Sequence, residues 1–120
     1  MAKIMVMDDD SALRETLCSL LKEAGHEVID ASDGEQGLTL FAREPSDVVI
    51  TDIRMPHVSG HDAILKLRNA FPALKIIAMT GGGAVDKEMY CQVARKLGAD
   101  CTLTKPFDPV ELITTLHGLI

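Results

Sequence analysis

Apolar residues in this chain gather in five short runs: Ile4–Met7, Val28–Ile29 with its neighbours, Val48–Ile50 leading into Thr51-Asp52, Ile76–Met79 and Cys101–Thr104. A run without polar alternation suits a strand covered on both faces. Between the runs, apolar residues return at helical spacing. Leu13, Leu17, Leu20, Leu21 and Ala24 mark a first helix stopped by Gly25. After a turn at Asp33-Gly34, Leu38, Phe41 and Ala42 mark a second, which ends before Pro45. A third runs from Gly60 to Ala70 with Ile64, Leu65 and Leu67 inward, and Pro72 closes it. Val85, Met89, Val93 and Leu97 line a fourth, terminated by Gly98. The fifth begins at Asp108-Pro109, a capping residue followed by proline, and turns Val110, Ile113 and Leu116 inward.

Five strand-helix repeats predict an α/β, doubly wound architecture: a five-stranded parallel sheet with helices on both faces and right-handed crossovers. Cys101–Thr104 is the least apolar run and is expected at an edge. All 120 residues, 1–120, are read as one domain, without linker or internal repeat.

Composition narrows the function classes. With 47% hydrophobic and 25% charged residues the chain reads as soluble and globular. No apolar run approaches about 18 residues and no signal peptide precedes the first strand, so the cytoplasm is expected and a membrane is not. A formal charge of -6 argues against direct nucleic-acid binding. Cys18, Cys91 and Cys101 match no metal knuckle, redox pair or disulfide framework and are read as free thiols.

The polar residues that interrupt the apolar pattern fall at strand ends. Asp8 and Asp9 follow the first strand, Asp52 ends the third, Thr80 the fourth and Lys105 the fifth. In a parallel sheet those ends share one rim, and for strand order 2-1-3-4-5 the ligand crevice lies between strands one and three. Three carboxylates so placed repel one another, and a hard divalent cation with oxygen ligands relieves them. Mg²⁺ suits best, being content with one or two carboxylates, waters and a phosphate oxygen. Asp52 could then attack a phosphoryl group while Lys105 neutralises its charge and Thr80 bonds a further oxygen. Singly, each residue has an ordinary explanation: Asp10 or Ser11 caps a helix, Asp52 makes a turn, Thr80 fills a strand and Lys105 sits on the surface. Together, at four strand ends, they point to a phosphoryl-accepting site.

Four motifs in order, Val6-Met7-Asp8-Asp9-Asp10, Thr51-Asp52-Ile53-Arg54-Met55-Pro56 with Gly60, Thr80-Gly81 and Lys105-Pro106-Phe107, resemble the receiver domain of bacterial two-component response regulators, in its single-domain, chemotaxis-type architecture. The resemblance spans essentially the whole chain and implies a flavodoxin-like (βα)5 fold. It makes Asp52 the phospho-acceptor of a signalling switch, served by a histidine kinase or phosphotransfer protein. It implies that Asp9 and Asp52 bind Mg²⁺ directly, that Asp8 acts mainly through water, and that the Arg54 backbone carbonyl completes the protein ligands. Thr80 and Lys105 would move to contact the phosphoryl group, with Lys105-Pro106 cis. Arg54 and Gly82 would flank the entrance and tune the acyl phosphate lifetime. No enzymatic activity is implied beyond self-phosphorylation and autodephosphorylation. Output would pass to a downstream protein target or to a fused output domain absent from this chain.

One position departs from the family: an aromatic usually stands three residues before the lysine, and here it is Thr102. Output is therefore expected to rely on Gly81-Gly82-Gly83 and the fourth helix, within a surface of helix four, strand five and helix five. The kinase-facing surface is expected at Ser11, Arg14 and Glu15, beside Phe107. Two rival readings remain. A phosphohydrolase with an aspartyl nucleophile would carry a second aspartate where Arg54 stands, and a pseudo-receiver binding module would not need the intact Asp8, Asp9, Asp52, Thr80 and Lys105. Weaker signals lead nowhere: Gly81-Gly82-Gly83 with Lys87 fails the P-loop spacing, His57 and His61 are read as solvated, and His26 and His117 have no neighbours in sequence that suggest chemistry. The methionines are read as core packing.

Overall fold

Strands and helices alternate as the apolar pattern predicts in the computed structural model, which describes residues 1–54, 60–81 and 87–120. Strands β1 (Lys3–Met7), β2 (Glu27–Ala31), β3 (Val48–Asp52), β4 (Lys75–Thr80) and β5 (Cys101–Thr104) form one parallel sheet in the order β2-β1-β3-β4-β5. The helices are α1 (Ser11–Glu23), α2 (Gly34–Arg43), α3 (Gly60–Ala70), α4 (Lys87–Leu97) and α5 (Pro109–Leu119). This is the doubly wound, flavodoxin-like (βα)5 fold, with β5 at an edge as expected.

Successive strand side chains point to opposite faces, so the strands feed two cores. Met5, Met7, Val49, Ile76 and Ala78 meet Phe41 of α2, Ala63, Ile64 and Leu67 of α3 and Ala94 of α4 on one face. On the other, Ile4, Val6, Ile50, Ile77 and Met79 meet Leu17 and Leu21 of α1 and Leu112 and Leu116 of α5. β3 is buried along its whole length, which explains its lack of alternation. Side chains of Asp10, Asp33 and Asp108 accept the backbone N–H of Leu13, Gln36 and Glu111, capping α1, α2 and α5. Gly25 and Gly98 take positive φ just past α1 and α4, where a side chain would be strained.

Several residues expected inside lie outside. Leu65, Met89, Val93 and Val110 are exposed, as are Ala24 and Ala42. The cause is the exact placement of each helix on the sheet. On α4 the inward stripe is Tyr90, Ala94 and Leu97, one residue round from the Met89-Val93 line, and small Ala94 permits the close approach. On α5 the buried residues are Leu112 and Leu116, while Val110 stands in the open first turn. Val85, expected on the fourth helix, lies outside the described residues, as do Met55, Pro56, His57, Gly82 and Gly83.

Candidate functional site

The C-terminal ends of β1, β3, β4 and β5 place the polar residues together. Asp52 pairs in register with Met79, Thr80 with Thr104, and the Lys105 backbone N–H donates to the Thr80 carbonyl oxygen at 2.8 Å. Adjacent ends thus deliver Asp52, Thr80 and Lys105 to one rim, and the turn after β1 adds Asp8 and Asp9. Asp8 is fully buried, Asp52 and Thr80 nearly so, and Asp9 is exposed.

Lys105 joins the two buried carboxylates. Its Nζ donates to Asp8 Oδ2 at 2.8 Å and to Asp52 Oδ2 at 3.2 Å. The other oxygens are held by backbone: Asp10 N–H donates to Asp8 Oδ1 at 2.9 Å and Arg54 N–H to Asp52 Oδ1 at 3.2 Å. Burial raises the Asp52 pKa above the ordinary carboxylate range; Lys105 opposes the rise and Asp8 adds to it. Burial by itself would lower the Lys105 pKa, but its bond to Asp8 and the charges of both aspartates outweigh that and leave it raised. The ammonium is therefore secured as a cation.

Asp8, Asp9 and Asp52 each offer a carboxylate oxygen, and these oxygens lie within 4.8 Å of one another. This all-oxygen, anionic donor set is of the kind a hard divalent cation takes, so the residues fit Mg²⁺. The Lys105-Pro106 peptide is cis, as the resemblance implies. Gly60, at the start of α3, packs directly on the end of β3: its N–H donates to the Ile53 carbonyl at 2.9 Å, and a Cβ there would collide with the Asp52 carbonyl oxygen. The motif glycine thus braces the end of β3.

Other residues arrive unannounced. Arg14, named for the expected kinase-facing surface, is half-buried and held by two partners. It donates from Nη1 to the Asp8 carbonyl at 2.7 Å and from Nε to Asp30 Oδ2 at 2.8 Å, tying α1 to the turn after β1 and to β2. His61 is half-buried rather than solvated: it stacks on Tyr90, and its Nε2 lies 3.3 Å from the Tyr90 carbonyl oxygen. Arg54 places its guanidinium over the ring of the same tyrosine, 5.3 Å from the centroid. Thr102, at the position of the missing aromatic, accepts a hydrogen bond from Arg95 Nη2 of α4 at 3.2 Å. Gly82, read as a modulating position, lies outside the described residues. The cysteines are free thiols, as expected. Among the described residues no helix is long and apolar enough to cross a membrane.

The sequence profile of the response regulator receiver domain matches residues 4–117. Response regulator protein FleR of Pseudomonas aeruginosa is 38% identical over 112 residues, 93% of this chain and 23% of its own. A probable transcriptional regulator, ycf27, of Cyanophora paradoxa is 36% identical over 118 residues, 98% of this chain and 48% of its own. The chain thus spans about half or less of these relatives. Among solved structures, a receiver domain protein from Clostridium thermocellum superposes with a TM-score of 0.90 at 36% identity, covering 100% of this chain and 94% of that one. Chemotaxis response regulator CheY4 of Vibrio cholerae does so with a TM-score of 0.88 at 30% identity, covering 100% and 99%. The chain belongs to the response regulator receiver domain family, the phospho-acceptor modules of two-component signalling.

Proposed function

We propose that residues 1–120 form one receiver domain in which Asp52 accepts a phosphoryl group from a histidine kinase or phosphotransfer protein. The observation that carries this reading is the Lys105 ammonium held on both Asp8 and Asp52, at the rim where β1 and β3 lie side by side. An Asp52 carboxylate oxygen attacks the phosphorus, and the bond from phosphorus to the donor nitrogen breaks as the donor leaves with its electron pair. Lys105 transfers its hydrogen bond from the carboxylate to a phosphoryl oxygen, and the Thr80 hydroxyl serves another. Asp9 and Asp52 would hold Mg²⁺ directly, with Asp8 acting mainly through water and the Arg54 carbonyl completing the protein ligands. When bound, Mg²⁺ supplies neutralisation of charge on the phosphoryl oxygens.

Chemistry is limited to the protein's own phosphorylation and dephosphorylation, with Arg54 and Gly82 setting the lifetime. The family match favours this switch over a phosphohydrolase. The domain works in the cytoplasm and passes its state to a protein target or to a fused output domain. The test is incubation with acetyl phosphate and Mg²⁺ followed by intact-mass measurement. One labile phosphoryl adduct per chain, absent in Asp52→Asn, is expected; rapid turnover of phosphomonoesters would establish the phosphohydrolase instead, and no adduct the binding module.

A further inference from the structure

The site has an aromatic partner that its motifs do not include. Arg54 is held at the acceptor by its own backbone, whose N–H donates to Asp52 Oδ1 at 3.2 Å. Its side chain is exposed and reaches over Tyr90 of α4, with the guanidinium carbon 5.3 Å from the ring centroid. Tyr90 is also stacked with His61 of α3, at 6.1 Å between centroids and 29° between planes, and packs against the α2-α3-α4 core. A continuous line of contacts thus runs from Asp52 through Arg54 to Tyr90.

We propose that Arg54 and Tyr90 form the relay by which phosphorylation of Asp52 reaches α4, an inference that rests on the phospho-acceptor reading. An exposed guanidinium lying over a ring is weakly held. A phosphoryl group on Asp52 brings additional negative charge and three acceptor oxygens beside the Arg54 backbone, and a charge-assisted, bidentate bond to such oxygens is the stronger of the two. Arg54 therefore has two partners, one in each state: the ring when Asp52 is free and the phosphoryl group when it is not. That difference in contact is what a two-state coupling requires. When the cation leaves, Tyr90 loses a contact that holds it between the site and α3. Its helix also carries exposed Met89 and Val93, the neighbours of Tyr90 on the outward side. Thr102 cannot substitute, having no ring and being bonded to Arg95.

The chain has one tyrosine and no tryptophan, so its intrinsic emission reports Tyr90 alone. Tyrosine emission and intact mass are measured on the same samples with Mg²⁺ alone and with Mg²⁺ and acetyl phosphate. The expected result is a change in emission proportional to the adduct fraction, absent with Mg²⁺ alone and absent in Asp52→Asn. In Arg54→Gln the change is lost per adduct formed, while Arg54→Lys, which keeps a cation without the planar fork, retains part of it. An adduct with unchanged emission overturns the relay and leaves the acceptor reading standing. A full wild-type change in Arg54→Gln also overturns it. Absence of any adduct on the wild-type protein overturns both.

Discussion

Asp52 carries a cost in the folded protein that comes from its burial. Burial raises its pKa, so the folded state holds the proton more tightly than the unfolded state. The stability this contributes is complete below about pH 3.9, the ordinary carboxylate value, and is lost as pH rises through the folded-state value. At neutral pH the charged carboxylate therefore opposes folding, only partly offset by Lys105. Asp52→Asn in Mg²⁺-free buffer is expected to be more stable than wild type at pH 7, because it removes the desolvated charge while Lys105 keeps Asp8 as its partner. Urea unfolding across pH checks this: the gap between mutant and wild type should close toward about pH 4. That Asp52, Asp8, Asp9, Thr80 and Lys105 share one rim was legible in sequence because they stand where apolar runs end. Tyr90, Arg14 and His61 were not, since what defines them is a contact across elements with no signature in spacing.

The same distinction governs the helices. Their existence and their caps follow from local chemistry: Asp10, Asp33 and Asp108 satisfy the first backbone N–H groups, and Gly25 and Gly98 take the positive φ that ends a helix. Which face turns inward depends on the surface each helix meets. α4 lays Tyr90, Ala94 and Leu97 on the sheet and leaves Met89 and Val93 in solvent, although the latter pair is the more hydrophobic line. The double substitution Met89→Gln with Val93→Gln should therefore leave stability within about 0.5 kcal/mol. Leu112→Ala, which empties a fully buried position on α5, should cost about 2–5 kcal/mol. Denaturation midpoints decide it; a large loss in the α4 variant would mean that this face is covered.

At the pole of the sheet away from the site, the two ends of the chain are joined by histidines 91 positions apart. His26 Nδ1 accepts the Ala2 backbone N–H at 3.0 Å, so its remaining proton sits on Nε2, which lies 3.2 Å from His117 Nε2. The 5.4 Å centroid separation is close to that distance plus the two ring radii, so the nitrogens point at one another, as a direct hydrogen bond requires. Burial, the His117 ring and the N-terminal ammonium lower the His26 pKa. Its contribution to stability is present above about pH 6.5 and is lost as pH falls below that toward the folded-state value. The melting temperature should thus fall between pH 7 and pH 5 by more in the wild type than in His26→Gln, which keeps an acceptor for Ala2 without titrating; equal slopes would refute the clasp. Neither histidine has a neighbour in sequence to suggest this pairing. The sequence by itself determined the alternation of strands and helices, their caps and the chemical set at the strand ends, because period, capping and turn chemistry act over a few residues. Folding alone chose which helical face is buried, bonded Arg14 to Asp8 and Asp30, and set Arg54 on Tyr90 and His26 on His117. Those choices depend on how closely one surface approaches another, which no local pattern encodes.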